Sequence, residues 1–106
     1  MRNKVMRTIV FFDLPNVFYK DKKNYIKFRK YLLYEGFIMM QESVYSKLTL
    51  NSIQSDLLVK RIKTNCPKKG IVQVMTITEK QYSSIEYLIG DSTTKVINNE
   101  ERLLIL

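Results

Sequence analysis

The chain has 106 residues, with 18 Lys or Arg against 10 Asp or Glu, one cysteine and no histidine. One cysteine without histidine excludes an intrachain disulfide, a Cys/His zinc site and any catalytic pair that needs an imidazole. The length predicts a single domain, residues 1–106. The short apolar run near the N-terminus stops at Asp13, so we expect a cytoplasmic protein without a signal peptide or membrane span.

The positive charge is concentrated in the first two thirds of the chain. Residues 1–70 hold 15 basic and 5 acidic side chains, a net charge of +10, whereas residues 71–106 hold 3 basic and 5 acidic ones. A basic body of this kind favours a polyanionic partner, with nucleic acid as the first choice and an anionic membrane surface as the second. The alternative is that the charge serves only solubility.

The first half of the chain predicts a strand, a helix and then extended chain. Residues 6–14 are rich in β-branched and aromatic residues and apolar on both faces, which is typical of a central buried strand. Residues 21–35 predict a helix that ends before a glycine. Residues 37–48 predict one bent strand or two short ones, with the bend at Gln41 and Glu42.

The second half predicts a helix, a strand and then shorter elements. Residues 51–65 predict a helix, residues 71–78 a strand and residues 79–89 a short third helix, and two short strands follow at 96–97 and 103–106. The order βαββαβ over residues 1–78 predicts an α+β, ferredoxin-like fold, in which two helices cover one face of four antiparallel strands.

The other face of this sheet needs a cover. The strands at 6–14 and 71–78 are apolar on both sides, and the helices can bury only one of them. A second copy of the chain can bury the other, so we expect a homodimer with its two sheets packed face to face.

Asp13 is the leading candidate for chemistry because it ends the most apolar strand, where a rigid scaffold meets an open loop. The proposed dimer could bring two Asp13 carboxylates together near its two-fold axis, where they could hold one Mg²⁺ with water. The alternatives are that Asp13 caps the following loop or pairs with Arg29.

Basic side chains supply the candidate phosphate contacts. Four lysines of the first helix fall within about 80° of one another, on a face that is either phosphate-facing or merely solvated. Two more lysines occupy a Pro-Lys-Lys-Gly turn, and Arg29 lies inside the apolar arc formed by Tyr25, Ile26, Phe28, Leu32 and Leu33. The candidate nucleic-acid-binding residues are Lys20, Lys23, Lys27, Arg29, Lys30, Lys68 and Lys69.

The chain resembles the CRISPR-associated Cas2 family, and most closely its type II-A members. The resemblance is carried by MRTIVFFDLP at 6–15, YIKFRKYLLYEGFIMMQESVYSKL at 25–48, NCPKKGIV at 65–72, TITEKQ at 76–81 and ERLLIL at 101–106. It implies a ferredoxin-like homodimer in which residues 79–106 form an arm that reaches across to the partner subunit.

The resemblance also implies partners and an activity. The expected role is spacer acquisition, with the dimer holding a protospacer duplex of double-stranded DNA between subunits of the Cas1 integrase. The family label is that of an endonuclease that uses Mg²⁺, with Mn²⁺ as a possible substitute, on single-stranded RNA or double-stranded DNA. Asp13 would be its catalytic residue and metal ligand. A stand-alone toxin-type endoribonuclease similar to VapD is the alternative.

Overall fold

Four strands and three helices occupy the residues that the structure, a computed structural model, describes, which are residues 5–90. In chain order they are β1 Met6–Asp13, α1 Tyr19–Glu35, β2 Ile38–Gln41, β3 Val44–Thr49, α2 Ser52–Thr64, β4 Ile71–Thr78 and α3 Glu79–Ser83.

The strands form one antiparallel sheet in the order β2-β3-β1-β4. Strand β1 is central, as its apolar sequence predicts, and Val10 pairs with Tyr45 on one side and with Val74 on the other. The sheet and the two long helices confirm the predicted α+β, ferredoxin-like βαββαβ fold.

The core lies between the sheet and the two long helices. Val10, Phe12 and Tyr45 from the sheet are buried against Phe28 and Leu32 of α1, and Phe37, Leu58 and Ile62 complete the cluster. The Phe12 ring meets the Phe28 ring edge-on, with 5.2 Å between centroids, and stacks on the Tyr45 ring at 5.7 Å. Each such aromatic pair adds about 0.5–1.5 kcal/mol beyond the burial of its surface. The end of β1 is therefore rigidly fixed.

Helix α1 begins two residues before the predicted position. The Oδ2 atom of Asp21 accepts a hydrogen bond from the backbone N–H of Phe18 at 3.1 Å, so Asp21 is the third residue of the helix rather than its first. The predicted apolar arc was too wide. Ile26 and Leu33 are exposed, and α1 buries only Phe28 and Leu32 of the arc.

The connection between β2 and β3 is a tight turn, so residues 37–48 form two short strands. Ser43 adopts a φ of 65°, and the register between β2 and β3 shifts between Met39 and Gln41. The bend thus lies one residue later than predicted.

Helix α3 ends at Ser83, whereas the sequence predicted a helix to residue 89. The hydroxyls of Ser83 and Ser84 donate to the carbonyl oxygens of Lys80 and Gln81, at 3.0 and 2.6 Å. Such side-chain bonds compete with helix continuation. The strands predicted at 96–97 and 103–106, and with them most of the arm at 79–106, lie outside the described residues. Within residues 5–90 no helix combines the length and the apolar character that a membrane crossing requires.

Candidate nucleic-acid and metal site

The sheet face opposite α1 and α2, called the open face below, carries apolar side chains that remain accessible to solvent. Side chains alternate between the two faces along each strand, so the pairing registers assign this face to Arg7, Ile9, Phe11 and Asp13 of β1 and to Ile71, Gln73, Met75 and Ile77 of β4. Ile71 and Met75 are 57% and 46% exposed, and Leu48 of β3 and Ile38 of β2 are exposed on the same face. The centre of the face, at Ile9, is buried.

One end of the open face is occupied by α3. Arg7 donates two hydrogen bonds to the Glu79 carboxylate, at 3.1 and 2.8 Å, and its guanidinium carbon lies 4.1 Å from the centre of the Tyr82 ring. Asp13 is six residues further along β1, about 20 Å away at the usual strand rise. Helix α3 is thus anchored at the end of β1 opposite to Asp13.

Asp13 is exposed at the free end of the open face. Its side chain lines a shallow depression of about 250 Å³ together with Phe11, Ser43, Ile71 and Gln73. The carbonyl oxygen of Ser43 accepts the backbone N–H of Phe12 at 3.1 Å, which fixes the β2–β3 turn beside the carboxylate. An exposed carboxylate on a rigid strand end is well placed to meet a ligand.

Arg29 does not act as a partner of Asp13. Its Nε–H donates to the hydroxyl of Tyr45 at 2.8 Å, and the aromatic core lies between the two residues. Burial raises the pKa of the Tyr45 hydroxyl, and the Arg29 guanidinium beside it offsets part of this increase. Arg29 therefore ties α1 to β3.

A groove beside α1 collects four of the predicted lysines. Lys20 and Lys27 from α1 face Lys68 and Lys69 from the turn before β4 across a cavity of about 480 Å³. Asn24 and Asn65 add amide groups to its lining, and the Asp21 carboxylate is the acidic residue there. A concave surface with four ammonium groups favours a ligand that carries several negative charges.

The Lys68–Lys69 turn is held directly against the end of β1. Gly70 has a φ of +96°, and a Cβ atom added to it would lie 2.7 Å from the carbonyl oxygen of Asp13 and 2.9 Å from Cδ2 of Leu14. Only glycine accommodates this backbone angle and this close approach without strain. The groove and the Asp13 depression therefore lie next to each other, because Gly70 packs against the backbone of Asp13.

Comparison with known proteins identifies the family. The family model described as CRISPR associated protein Cas2 matches residues 6–85. The chain belongs to the Cas2 family. The protein named CRISPR-associated endoribonuclease Cas2 in Treponema denticola is 54% identical to this Cas2 chain over 101 residues, covering 95% of this chain and 100% of the relative. The protein of the same name in Streptococcus mutans serotype c is 48% identical, over 95% of this chain and 93% of the relative.

A solved structure shares the fold of this Cas2 chain. The structure, described as "Crystal structure of cas2", superposes with a TM-score of 0.57 at 22% sequence identity, covering 83% of this chain and 90% of that chain. The fold and the family predicted from the sequence are therefore both confirmed.

The Cas2 chain offers a metal ion only part of a site. Asp13 is the acidic residue of its depression, and residues 5–90 contain no group of three Asp, Glu, Cys or His side chains suited to a metal. Mg²⁺ is commonly bound through one or two carboxylates plus water and substrate phosphate oxygens. The exposed Asp13 fits that mode if a second subunit or a nucleic-acid phosphate supplies the remaining oxygen atoms.

The other two candidate lysines, Lys23 and Lys30, do not line the groove. The Nζ atom of Lys23 lies 5.7 Å from the centre of the Tyr19 ring, one turn along the outer side of α1. Lys30 continues that outer side at helical spacing. The predicted stripe of four lysines therefore divides into a groove pair, Lys20 and Lys27, and an outer pair.

Cys66 lines the groove and is partly buried. It packs against the buried cluster, and burial raises the pKa of its thiol. The thiol stays protonated near neutral pH and is a poor nucleophile.

The sequence analysis missed Asn24 and Asn65 as groove residues. Asn24 could have been found from its spacing, since it lies between Lys20 and Lys27 on one side of the helix. Asn65 joins them only through the packing of the helices, which spacing alone does not reveal.

Proposed function

We propose that this Cas2 chain works as a homodimer in CRISPR spacer acquisition, where it binds nucleic-acid backbones and hydrolyses phosphodiester bonds at Asp13. The observation that carries the proposal is the position of Asp13, exposed at the end of an apolar open face and joined through Gly70 to a groove with four lysines. A phosphate-binding surface beside an accessible carboxylate is what metal-assisted phosphodiester chemistry requires.

The open face supports the face-to-face dimer. Four exposed apolar side chains, from Ile38, Leu48, Ile71 and Met75, lie on one sheet surface. A second copy would remove them from water at a gain of about 25 cal/mol for each Å² of apolar surface buried. A two-fold axis at the Asp13 end of this face would bring the two Asp13 side chains together, because Asp13 belongs to the same face.

The two carboxylates would hold the metal ion, Mg²⁺ or alternatively Mn²⁺. When bound, such an ion polarises a phosphoryl oxygen and supplies a hydroxide nucleophile at neutral pH. The residues of the chain have separate tasks. Asp13 provides ligand oxygens, and Lys20, Lys27, Lys68 and Lys69 neutralise and orient the phosphates that flank the reacting one.

The groove also supports a role as an adaptor. Contacts from lysine to phosphate carry no sequence information, which suits a protein that must accept any captured protospacer DNA. On this reading the Cas2 dimer holds the duplex between subunits of the Cas1 integrase. The relatives from Treponema denticola and Streptococcus mutans are named endoribonucleases, which supports single-stranded RNA as a further substrate.

Asp13→Asn separates the two activities, because it keeps the size of the side chain and removes its charge. We expect the purified variant to lose Mg²⁺-dependent cleavage of labelled RNA and duplex DNA, yet to bind duplex DNA and to support integration with the Cas1 integrase. Glu42→Gln, at an exposed acid in the β2–β3 turn, is the matched control and should leave both activities intact.

Two results would change this assignment. Undiminished cleavage by Asp13→Asn would remove the proposed reaction centre. Cleavage of RNA without any association with the integrase or support of integration would favour the stand-alone, VapD-like toxin activity instead.

A further inference from the structure

Two neighbouring aromatic side chains at the start of α1 are largely exposed to solvent. Phe18 and Tyr19 are 69% and 78% exposed. Phe18 occupies the position before the first helical residue, where Ser, Thr, Asp or Asn would accept a hydrogen bond from the first turn. Its side chain does not cap the helix and buries little surface, so neither effect explains an aromatic residue there.

The surroundings of this aromatic pair are cationic. Lys23 lies against the Tyr19 ring, and Lys20, the next residue along the chain, lines the lysine groove. Surfaces that bind single-stranded nucleic acid combine these two elements, since bases stack on aromatic rings while basic groups follow the phosphates. Inside a duplex each base pair is stacked between its neighbours, so rings of this kind favour unpaired bases.

We infer that Phe18 and Tyr19 form a stacking platform for unpaired nucleobases, with the phosphates of the same strand held by the groove lysines. The inference rests on the proposed function and adds the residues that would contact the bases of a single strand, which the duplex-binding groove does not supply. Phe18 follows Asp13 by five positions in the chain, so their Cα atoms lie within about 18 Å of each other. A strand stacked on the platform therefore lies close to the proposed reaction centre.

The chain contains no tryptophan, so Phe18→Trp places a single indole on the platform. We expect its fluorescence to be quenched by an oligothymidylate or oligouridylate octanucleotide and unchanged by a strand of equal length built from abasic sites. The abasic strand keeps the phosphates and lacks only the bases. The DNA and RNA arms show whether the platform discriminates between the two sugars.

A double variant, Phe18→Leu with Tyr19→Leu, measures the contribution of stacking to affinity. Leucine keeps apolar bulk and favours the helix, and we expect the octanucleotide to bind about tenfold or more weakly, given the usual strength of base–aromatic stacking. Binding of the abasic strand and of blunt duplex should not change. Tyr34→Leu is the control, because Tyr34 is an exposed tyrosine on the same helix about 22 Å from Tyr19.

Three outcomes would overturn the platform. The first is that the double variant binds the octanucleotide as tightly as wild type, and the second is that it loses as much affinity for the abasic strand as for the octanucleotide. The third is an indole emission that changes with protein concentration in the absence of nucleic acid, because the aromatic pair would then be a contact between subunits. In each case, salt-dependent duplex binding by the unchanged protein would leave the proposed function standing. If the wild-type protein showed no salt-dependent binding of nucleic acid, both the stacking platform and the proposed function would be wrong.

Discussion

Arg61 of α2 donates two hydrogen bonds to the carboxylate of Glu35, the last residue of α1, from Nε at 2.8 Å and from its terminal nitrogen at 3.0 Å. The Tyr31 hydroxyl donates to the same carboxylate at 2.7 Å, and the ammonium of Lys47 bonds to the Glu35 carbonyl oxygen. Glu35 thus joins both long helices to β3 on the side of the core away from Asp13, and the network serves stability rather than chemistry.

This network predicts a loss of stability in acid. The hydrogen bonds from Arg61 hold the pKa of Glu35 below its ordinary value of 4.5. The contribution of the ionised carboxylate is therefore complete above about pH 4.5 and is lost as the pH falls through the lower, folded-state pKa. Glu35→Gln should be less stable than wild type at pH 7 and should lose less stability on acidification, as measured by urea unfolding between pH 7 and 3. An unchanged acid response in Glu35→Gln would contradict the assignment, and Glu42→Gln serves as the control.

The dimer proposal predicts that a charge on the open face separates the subunits. Met75→Lys would place an ammonium group in an apolar interface, where an unpaired charge is costly. We expect its dimer to be at least tenfold weaker, with helix content unchanged, by light scattering after gel filtration and by circular dichroism. Ile53→Lys introduces the same charge at an exposed apolar position of α2 and should remain dimeric. A dimer lost in Ile53→Lys and kept in Met75→Lys would place the interface on the helices.

The Asp13 pair predicts that metal binding and dimer formation are linked. Two unliganded carboxylates at one axis repel each other, and at a protein surface this costs about 1–4 kcal/mol at a separation of 4 Å. We expect Mg²⁺ to tighten the wild-type dimer in sedimentation velocity, relative to EDTA. Asp13→Asn should dimerise more tightly than wild type in EDTA and should not respond to Mg²⁺. An equal response of both proteins would place the two Asp13 residues apart.

The groove predicts a specific change in salt dependence. Each lysine that neutralises a phosphate contributes about −0.9 to the slope of log K against log salt concentration. Lys20→Gln and Lys68→Gln should each weaken duplex binding and make the slope shallower by about one, to the same degree for unrelated sequences. Lys60→Gln removes an equal charge from the exposed side of α2 and should leave the slope unchanged. Equal effects in all three variants would mean that only net charge matters.

The fold could be predicted because the strands carry strong local signals. Residues 6–14 are apolar on both faces, which only a central strand requires, and β1 is that strand. Element ends were less predictable, because they depend on single side-chain bonds. Asp21 accepts the Phe18 N–H inside the first turn of α1, and Ser83 bonds back to end α3.

Only part of the candidate site could be predicted from the sequence. Asp13 could be selected from its place at a strand end, and the basic residues from their charge. That Lys20 and Lys27 share a groove with Lys68 and Lys69 depends on contacts between segments about forty residues apart, which no local pattern contains. The exposure of Phe18 and Tyr19 was hidden for a similar reason, since an aromatic residue next to a helix is as typical of a core as of a surface.

Gly70 has a consequence for how a cut would be positioned. The turn that carries Lys68 and Lys69 approaches the strand end closely at Gly70, beside the backbone carbonyl oxygen of Asp13. A phosphate bound by Lys68 and Lys69 would consequently lie at a fixed distance from the phosphodiester bond that is cleaved. Cleavage of a homopolymeric strand should then give fragments of a few discrete lengths rather than a continuous distribution of lengths.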